Sequence, residues 1–255
     1  MSKIIESKKI IDVLNHVNKN TLVLFDIDNT LIWSIEEFGS LEWSSHISSQ
    51  FHKDGLDIVE AIRKSCAIFE QIGDLISFKP VESDTLDVLS KLNKKKIGNI
   101  ALTKRMFSLS IPTVKHLISA GINFSNNSLH TEEVVFDDMF AFSKGVLYSG
   151  LRKEKGSALI KFLEKINHKP DNILFIDDSQ HHVKEVHENL NSYGIPTTCI
   201  RYGGADHRSK TFDPARADSD LIKVVGQERF DLLFKEQFVY KQTEQQDKKE
   251  QVEKT

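Results

Sequence analysis

Two carboxylates stand one residue apart where the apolar run "LVLFDIDNTLIWS" (22–34) breaks into Asp26-Ile27-Asp28. A second acidic pair, Asp177-Asp178, closes the apolar run "NILFIDD" (172–178). Between them in sequence lie Thr103, ending "IGNIALT" (97–103), and Lys155, near the start of "KEKGSALIKFLEKINH" (153–168). Four carboxylates brought together repel one another unless a cation binds them, and an oxygen-only donor set suits a hard divalent ion, Mg²⁺ first. Magnesium held by carboxylates keeps positions for water and a phosphate. A hydroxyl and an ammonium supply what a phosphoryl group needs beside it. One carboxylate can then act as nucleophile and another as general acid/base.

Such a gathering depends on the elements that carry it. The runs 21–27, 97–103, 172–178 and 196–202 are short, rich in β-branched or aromatic residues, and end in polar residues. They read as strands buried on both faces. Helical patterns separate them at 82–96, 153–168 and 179–194, the first with an apolar stripe at Leu86, Leu89 and Leu92, the last ending in Gly194, a good helix-terminating residue. Strands alternating with helices predict an α/β fold, a Rossmann-like doubly wound parallel sheet. In such sheets ligands bind outside the carboxyl ends of the strands. The acidic pairs and Thr103 fall at strand ends and Lys155 at a helix start, so this topology delivers all of them to one rim.

Residues 33–79 separate the first strand from the next βα unit and are too long for an ordinary loop. They contain an amphipathic pattern at 53–73 and read as a small helical cap inserted after the first strand. The division expected is a core of 1–32 and 80–238, a cap of 33–79, and a flexible charged tail of 239–255. "FSKGVLYSG" (142–150) looks like part of a β-hairpin, and residues 1–20 read as an amphipathic helix.

The chain has 255 residues and a formal net charge of −3, which gives no reason to expect a nucleic-acid partner. Its two cysteines, Cys66 and Cys199, lack metal or redox spacing and fit a reducing compartment. There is no signal-peptide pattern and no apolar run of about 20 residues, the length needed to span a bilayer. The expectation is a cytoplasmic protein without a membrane partner, with export by a route that uses no signal peptide as the alternative.

With these residues in view, the chain resembles the haloacid dehalogenase superfamily, whose members are mostly phosphatases. "FDIDNT" resembles its first motif, D-x-D-x-T. "ALTKR" resembles the second, a strand ending in Ser or Thr. Lys155 in "KEKGSAL" looks like the third-motif lysine, and "LFIDDS" resembles the acidic fourth motif. The four stand in the family's order over residues 20–205, in a sparsely characterised branch with a small helical C1-type cap. The resemblance implies that Asp26 is the nucleophile forming an aspartyl-phosphate. It implies that Asp28 protonates the leaving group and later activates water. Mg²⁺ is then held by the Asp26 carboxylate, the Asp28 main-chain carbonyl and Asp177, with Asp178 assisting directly or through water. Thr103 hydrogen-bonds the phosphoryl group, Lys155 neutralises charge, and Lys104 beside Thr103 is a further phosphate-binding candidate. Lys153 is a less well placed substitute for Lys155. An acid at position 28 favours phosphoryl chemistry over C–halogen cleavage, since an alkoxide needs a proton and a halide does not.

The function expected is a Mg²⁺-dependent phosphomonoester hydrolase acting on a small-molecule phosphate ester, with a phosphoprotein as a second substrate class. The alternatives are phosphotransfer from the same site to another acceptor, or a non-catalytic binding or host-interaction protein. Arg105 reads equally as a substrate contact or a solvated side chain. His181, His182 and His187 read as helix packing or a solvated face. Trp33, Phe38 and Trp43 read as a small core joining cap to body, with substrate stacking the lesser alternative.

Overall fold

The computed structural model describes residues 2–125, 129–137 and 139–235. Its strands are β1 (Lys3–Ser7), β2 (Thr21–Phe25), β3 (Ile32–Ser34), β4 (Phe78–Pro80), β5 (Asn99–Thr103), β6 (Val134–Val135), β7 (Ala141–Ser143), β8 (Val146–Tyr148), β9 (Asn172–Asp177) and β10 (Thr197–Tyr202). Its helices are α1 (Leu41–Lys53), α2 (Ile58–Gln71), α3 (Thr85–Lys94), α4 (Ser110–Ser119), α5 (Lys155–Lys165), α6 (Gln180–Ser192), α7 (Asp206–Thr211) and α8 (Pro214–Val225). The described residues form two compact units, one of 2–35 with 77–211 and the other of 36–76 with those from Phe212 onward.

The first unit is an α/β domain on an eight-stranded sheet of order β1-β10-β9-β2-β5-β8-β7-β6. The six strands from β1 to β8 in that order run parallel, and β7 and β6 add an antiparallel edge. The β7–β8 pair is the hairpin expected near 142–150. Every residue of β2 and of β5 is buried. Along β2, Leu22 and Leu24 join the cluster formed with Leu159 and Phe162 of α5 and Val183 and Val186 of α6. Val23 and Phe25 point to the opposite face by strand alternation and are equally buried. Both faces are therefore covered, which is why these strands read as continuous apolar runs. Each fully buried leucine or phenylalanine there contributes about 1.5–3 kcal/mol.

The sheet order reverses at β2. The chain leaves β2 for β5 and β8 on one side and later returns to β9 and β10 on the other. The carboxyl ends of β2, β5 and β9 therefore open onto one crevice, the place where a doubly wound sheet binds its ligands.

The amino-terminal segment differs from its sequence expectation. It forms strand β1 beside β10, with Lys3 opposite Thr198, and then a 3-10 turn at Ile10–Asn15 that buries Ile10 and Val13. The open edge of β10 offers unpaired main-chain groups, and pairing with them overrides a weak helical periodicity.

The second unit corrects the expected division. Strands β3 and β4, which straddle the two ends of the segment read as cap, form an antiparallel hairpin belonging to the first unit, with Trp33 opposite Lys79. Residues from 212, read as core, pack instead with 36–76. Helices α1 and α2 are an α-hairpin capped by Ser40 and Asp57, each side chain accepting main-chain N–H bonds. α1 therefore ends at Lys53, where the single pattern 53–73 had been expected to begin. Two helices cannot bury an apolar face alone, and α8 completes this one. Ala217 and Leu221 are buried, and Asp218 Oδ1 accepts the Trp43 indole N–H at 2.8 Å. Phe38 meets Trp43 edge-on at 6.5 Å, and Arg216 pairs with Glu37. Residues 227–235 continue as helix, with Phe234 beside Phe51 at 6.2 Å. The tail 239–255 lies outside the described residues.

Candidate active site

Asp26 follows β2 directly, and its N–H still donates to Ile176 O at 2.9 Å, so the sheet ladder fixes its backbone. The chain then turns sharply. Asn29 takes a left-handed backbone (φ 58°), tolerable for asparagine, and the N–H groups of Leu31 and Ile32 both donate to Ile27 O. This turn sets Asp26 and Asp28 at the end of the strand before β3 begins. Asp177 ends β9, two strand spacings from β5 across β2. Its Oδ1 accepts the Ser179 N–H at 2.7 Å, and the Asp178 N–H donates to Thr30 Oγ1 at 3.1 Å. Thr30, the hydroxyl residue of the D-x-D-x-T run, thus ties the two acidic motifs together, a role its sequence position did not reveal.

Lys155 is the first residue of α5 and is 1% exposed. Its Nζ donates to Asp26 Oδ1 at 2.5 Å and to Asp177 Oδ2 at 2.6 Å, linking positions 129 and 22 residues away. Of the two candidate lysines, Lys155 is the one the fold brings to the acids. Lys153 Nζ lies 3.9 Å from Asp137 and over the Phe140 ring. Lys104 Nζ donates to the Lys153 carbonyl at 2.6 Å, so it pins the loop before α5. Thr103, 1% exposed, accepts the Arg105 N–H on its hydroxyl at 3.1 Å, which leaves the hydroxyl proton to donate.

Arg105 is neither solvated nor free. Its Nε and Nη2 hold Asp28 Oδ2 and Oδ1 at 2.9 and 2.7 Å, its Nη1 donates to Thr113 Oγ1 at 3.1 Å, and its guanidinium lies over the Phe78 ring. The sequence marked Arg105 but could not say which carboxylate it would meet. Trp33 has Lys79 and Arg208 near its ring and His207 edge-on, an arrangement that fixes the hairpin. His182 Nδ1 lies 3.4 Å from Asp177 Oδ2.

Among the described residues, Asp26, Asp177 and Asp178 form the group of potential metal ligands, one oxygen of each lying within 4.8 Å of the others. Burial pushes the Asp26 carboxyl up to about 7, Lys155 pulling it back and Asp177 and Asp28 pushing the same way as burial. Burial and the Asp26 and Asp177 charges push Asp178 up to about 8. Asp177 is buried too, but Lys155 and His182 together outweigh that and hold it below the usual range. Asp28 is held low against burial by Arg105. Burial acts to lower Lys155, yet the two aspartates raise it well above an ordinary lysine. The rim thus sets four carboxyl groups against two buried cations, and the two raised carboxyls keep protons that a further cation would displace. Its donors are carboxylate oxygens, and that chemistry fits Mg²⁺.

Among curated proteins, a Chlamydia pneumoniae protein named "Putative outer membrane protein" is 23% identical over 72% of this chain and 70% of its own length. A Chlamydia muridarum protein of the same name is 25% identical over 81% of this chain and 76% of its own. Among solved structures, a haloacid dehalogenase-like hydrolase from Streptococcus pneumoniae overlays with a TM-score of 0.43 at 14% identity, covering 75% of this chain and 98% of that one. The HAD domain of the Legionella pneumophila effector Lem4, solved as an inactive mutant, overlays with a TM-score of 0.39 at 11% identity, covering 85% and 97%. Overlays this loose carry no argument about activity. Among the described residues no helix is long and apolar enough to cross a membrane. The model of one family matches residues 5–229, and by that match the chain belongs to the family described as "Protein of unknown function (DUF2608)".

Proposed function

We propose that this chain is a Mg²⁺-dependent phosphomonoester hydrolase working through an aspartyl-phosphate on Asp26. The observation that carries the reading is the sharing of one buried ammonium, that of Lys155, by Asp26 and Asp177, with Asp178 beside them. Asp26, Asp177 and Asp178 would hold the metal, with the Asp28 main-chain carbonyl as the further ligand that the motif resemblance implies. When bound, the ion supplies Lewis-acid stabilisation of charge on the phosphoryl oxygens.

The remaining chemistry belongs to the side chains. Lys155 fixes Oδ1 of Asp26 and so orients the carboxylate for attack on phosphorus. As the Asp26–phosphorus bond forms, the bond to the leaving oxygen breaks, and that oxygen takes a proton from Asp28 or departs as a stable anion. Thr103 donates its hydroxyl to the phosphoryl group, and Lys155 offsets the charge that builds there. In the second half Asp28 takes a proton from water, the water oxygen bonds to phosphorus, and the bond to Asp26 breaks. Inorganic phosphate leaves, and Asp26 is again a carboxylate.

A small-molecule phosphate ester is the substrate class proposed first, with a phosphorylated protein side chain second. The two cysteines, Cys66 and Cys199, lie far apart in sequence without metal or redox spacing, which supports a reducing, cytoplasmic setting. The outer-membrane names belong to the Chlamydia relatives. The test is phosphate release from a panel of phosphorylated metabolites with Mg²⁺ and with a chelator. Release that needs the metal supports the reading. A panel without turnover favours a binding protein, and product that rises with added acceptor alcohol favours phosphotransfer.

A further inference from the structure

Lys155 must be held from behind as well as in front. Its ammonium is fixed by two aspartates, but its backbone opens α5, where helical N–H groups lack partners within the helix. The residue before it, Glu154, makes no capping bond with its side chain. The cap comes from another helix. Glu185 on α6 accepts the Lys155 N–H on Oε2 at 3.0 Å and the Gly156 N–H on Oε1 at 2.8 Å, and it is 7% exposed. Asn189, one helical turn further, donates from Nδ2 to Glu185 Oε1 at 2.9 Å and to Glu154 Oε2 at 3.1 Å. The approach is close enough to require glycine. A Cβ at Gly156 would stand 2.7 Å from Asn189 Cβ and 2.9 Å from Glu185 Oε1.

α6 starts directly after the Asp177–Asp178 pair. Glu185 therefore ties the helix that follows the acidic pair to the helix that carries the lysine bridging Asp26 and Asp177. A carboxylate here also meets the positive end of the α5 dipole. We propose that Glu185, steadied by Asn189, is a positioning residue that sets Lys155 between Asp26 and Asp177. It touches no reacting atom and acts through the lysine. This inference rests on the hydrolase reading for its catalytic consequence, though not for its geometry.

The test compares wild type, Glu185→Ala, Glu185→Gln, Lys155→Met and the Glu185→Ala/Lys155→Met double variant, all with Mg²⁺ and p-nitrophenyl phosphate. Displacing the lysine by about an ångström lowers kcat about 10–100-fold in Glu185→Ala with KM little changed. Glu185→Gln keeps the shape and one acceptor and restores most of the rate. In the Lys155→Met background Glu185→Ala adds less than about twofold, because residues acting as a unit are non-additive. An undiminished further loss in that background, or no loss in the single variant, overturns the proposal.

A second readout needs no turnover. Acetic anhydride labelling of the folded protein, read by peptide mass spectrometry, leaves Lys155 protected in wild type and in Glu185→Gln but labels it in Glu185→Ala, while exposed Lys184 is labelled alike in all three. Equal protection of Lys155 in wild type and Glu185→Ala overturns the positioning role. If wild type hydrolyses no phosphate ester, the hydrolase reading falls and the labelling still decides the role of Glu185.

Discussion

Arg105 grips Asp28 with two donors, Nε at 2.9 Å from Oδ2 and Nη2 at 2.7 Å from Oδ1, so both oxygens of the expected acid/base are engaged by one guanidinium. The side chains are 10% and 23% exposed, a setting in which such a fork is stronger than a surface pair. A carboxylate held this way stays ionised in spite of burial, which makes it a poor proton donor.

This pairing sets a leaving-group preference. Esters whose oxygen departs as a stable anion, such as aryl phosphates, need no proton from Asp28, while alkyl phosphates do. General acid catalysis is worth about 10²–10⁴-fold, so kcat/KM for p-nitrophenyl phosphate is expected to exceed that for an alkyl phosphate by about that factor. Arg105→Ala frees Asp28 to carry the proton and narrows the ratio by about tenfold or more. The ratio is insensitive to the active fraction of the variant, and an unchanged ratio means that Asp28 is not restrained by Arg105.

Stabilisation by Mg²⁺ should grow with pH. The folded chain without metal keeps protons on Asp26 up to about 7 and on Asp178 up to about 8, whereas the unfolded carboxyls lose theirs near 3.8. Between those values these two carboxyls bind more protons in the native state than in the unfolded state, so their contribution to metal-free stability falls as pH rises from about 4 to 8. A cation that needs ionised carboxylates competes with the same protons. Thermal unfolding with and without Mg²⁺ should therefore give a larger rise in Tm at pH 8.5 than at pH 6. A rise independent of pH would show that these two carboxyls do not hold the ion.

Lys155→Ala leaves Asp26 and Asp177 buried and facing one another without their cation. Breaking such a buried pair costs about 3–5 kcal/mol. The loss should be largest above pH 7, where Asp26 is ionised, and smaller at pH 6, where a proton on Asp26 relieves the repulsion. Denaturant unfolding at the two pH values measures it. Equal losses would mean that the lysine acts through packing alone.

The second unit offers a test of the distal helix. Asp218→Ala removes the acceptor of the Trp43 indole N–H, and Trp43 is 1% exposed. An unsatisfied buried donor costs about 1–3 kcal/mol. Loss of that size in the stability of the described helices, seen by Trp43 fluorescence during unfolding, supports α8 as part of this unit, and no loss contradicts it.

The sequence was most legible where one local cause acts. Strands β2, β5 and β9 are apolar because both faces are covered, and each ends in the polar residues that reach the rim. Lys155 could be placed near that rim because it opens a helix preceding β9. Partners set by tertiary packing were not legible. Nothing near Arg105 announces Asp28, which lies 77 residues away. Glu185 reads as an ordinary helical glutamate until α5 is seen to begin against it. Strand β1 pairs with a neighbour nearly 200 residues along the chain, and α8 contributes Asp218 to a helix pair that it follows by more than 140 residues.

The central claim is covalent attack by Asp26, and the direct measurement is acid quenching during turnover of p-nitrophenyl phosphate with Mg²⁺, followed by peptide mass spectrometry. The account predicts one phosphoryl group on the peptide that contains Asp26, absent in Asp26→Asn, whose turnover falls by about 10³-fold or more. A phosphoryl group trapped on a different residue, or an Asp26→Asn variant that turns over at the wild-type rate, would contradict it.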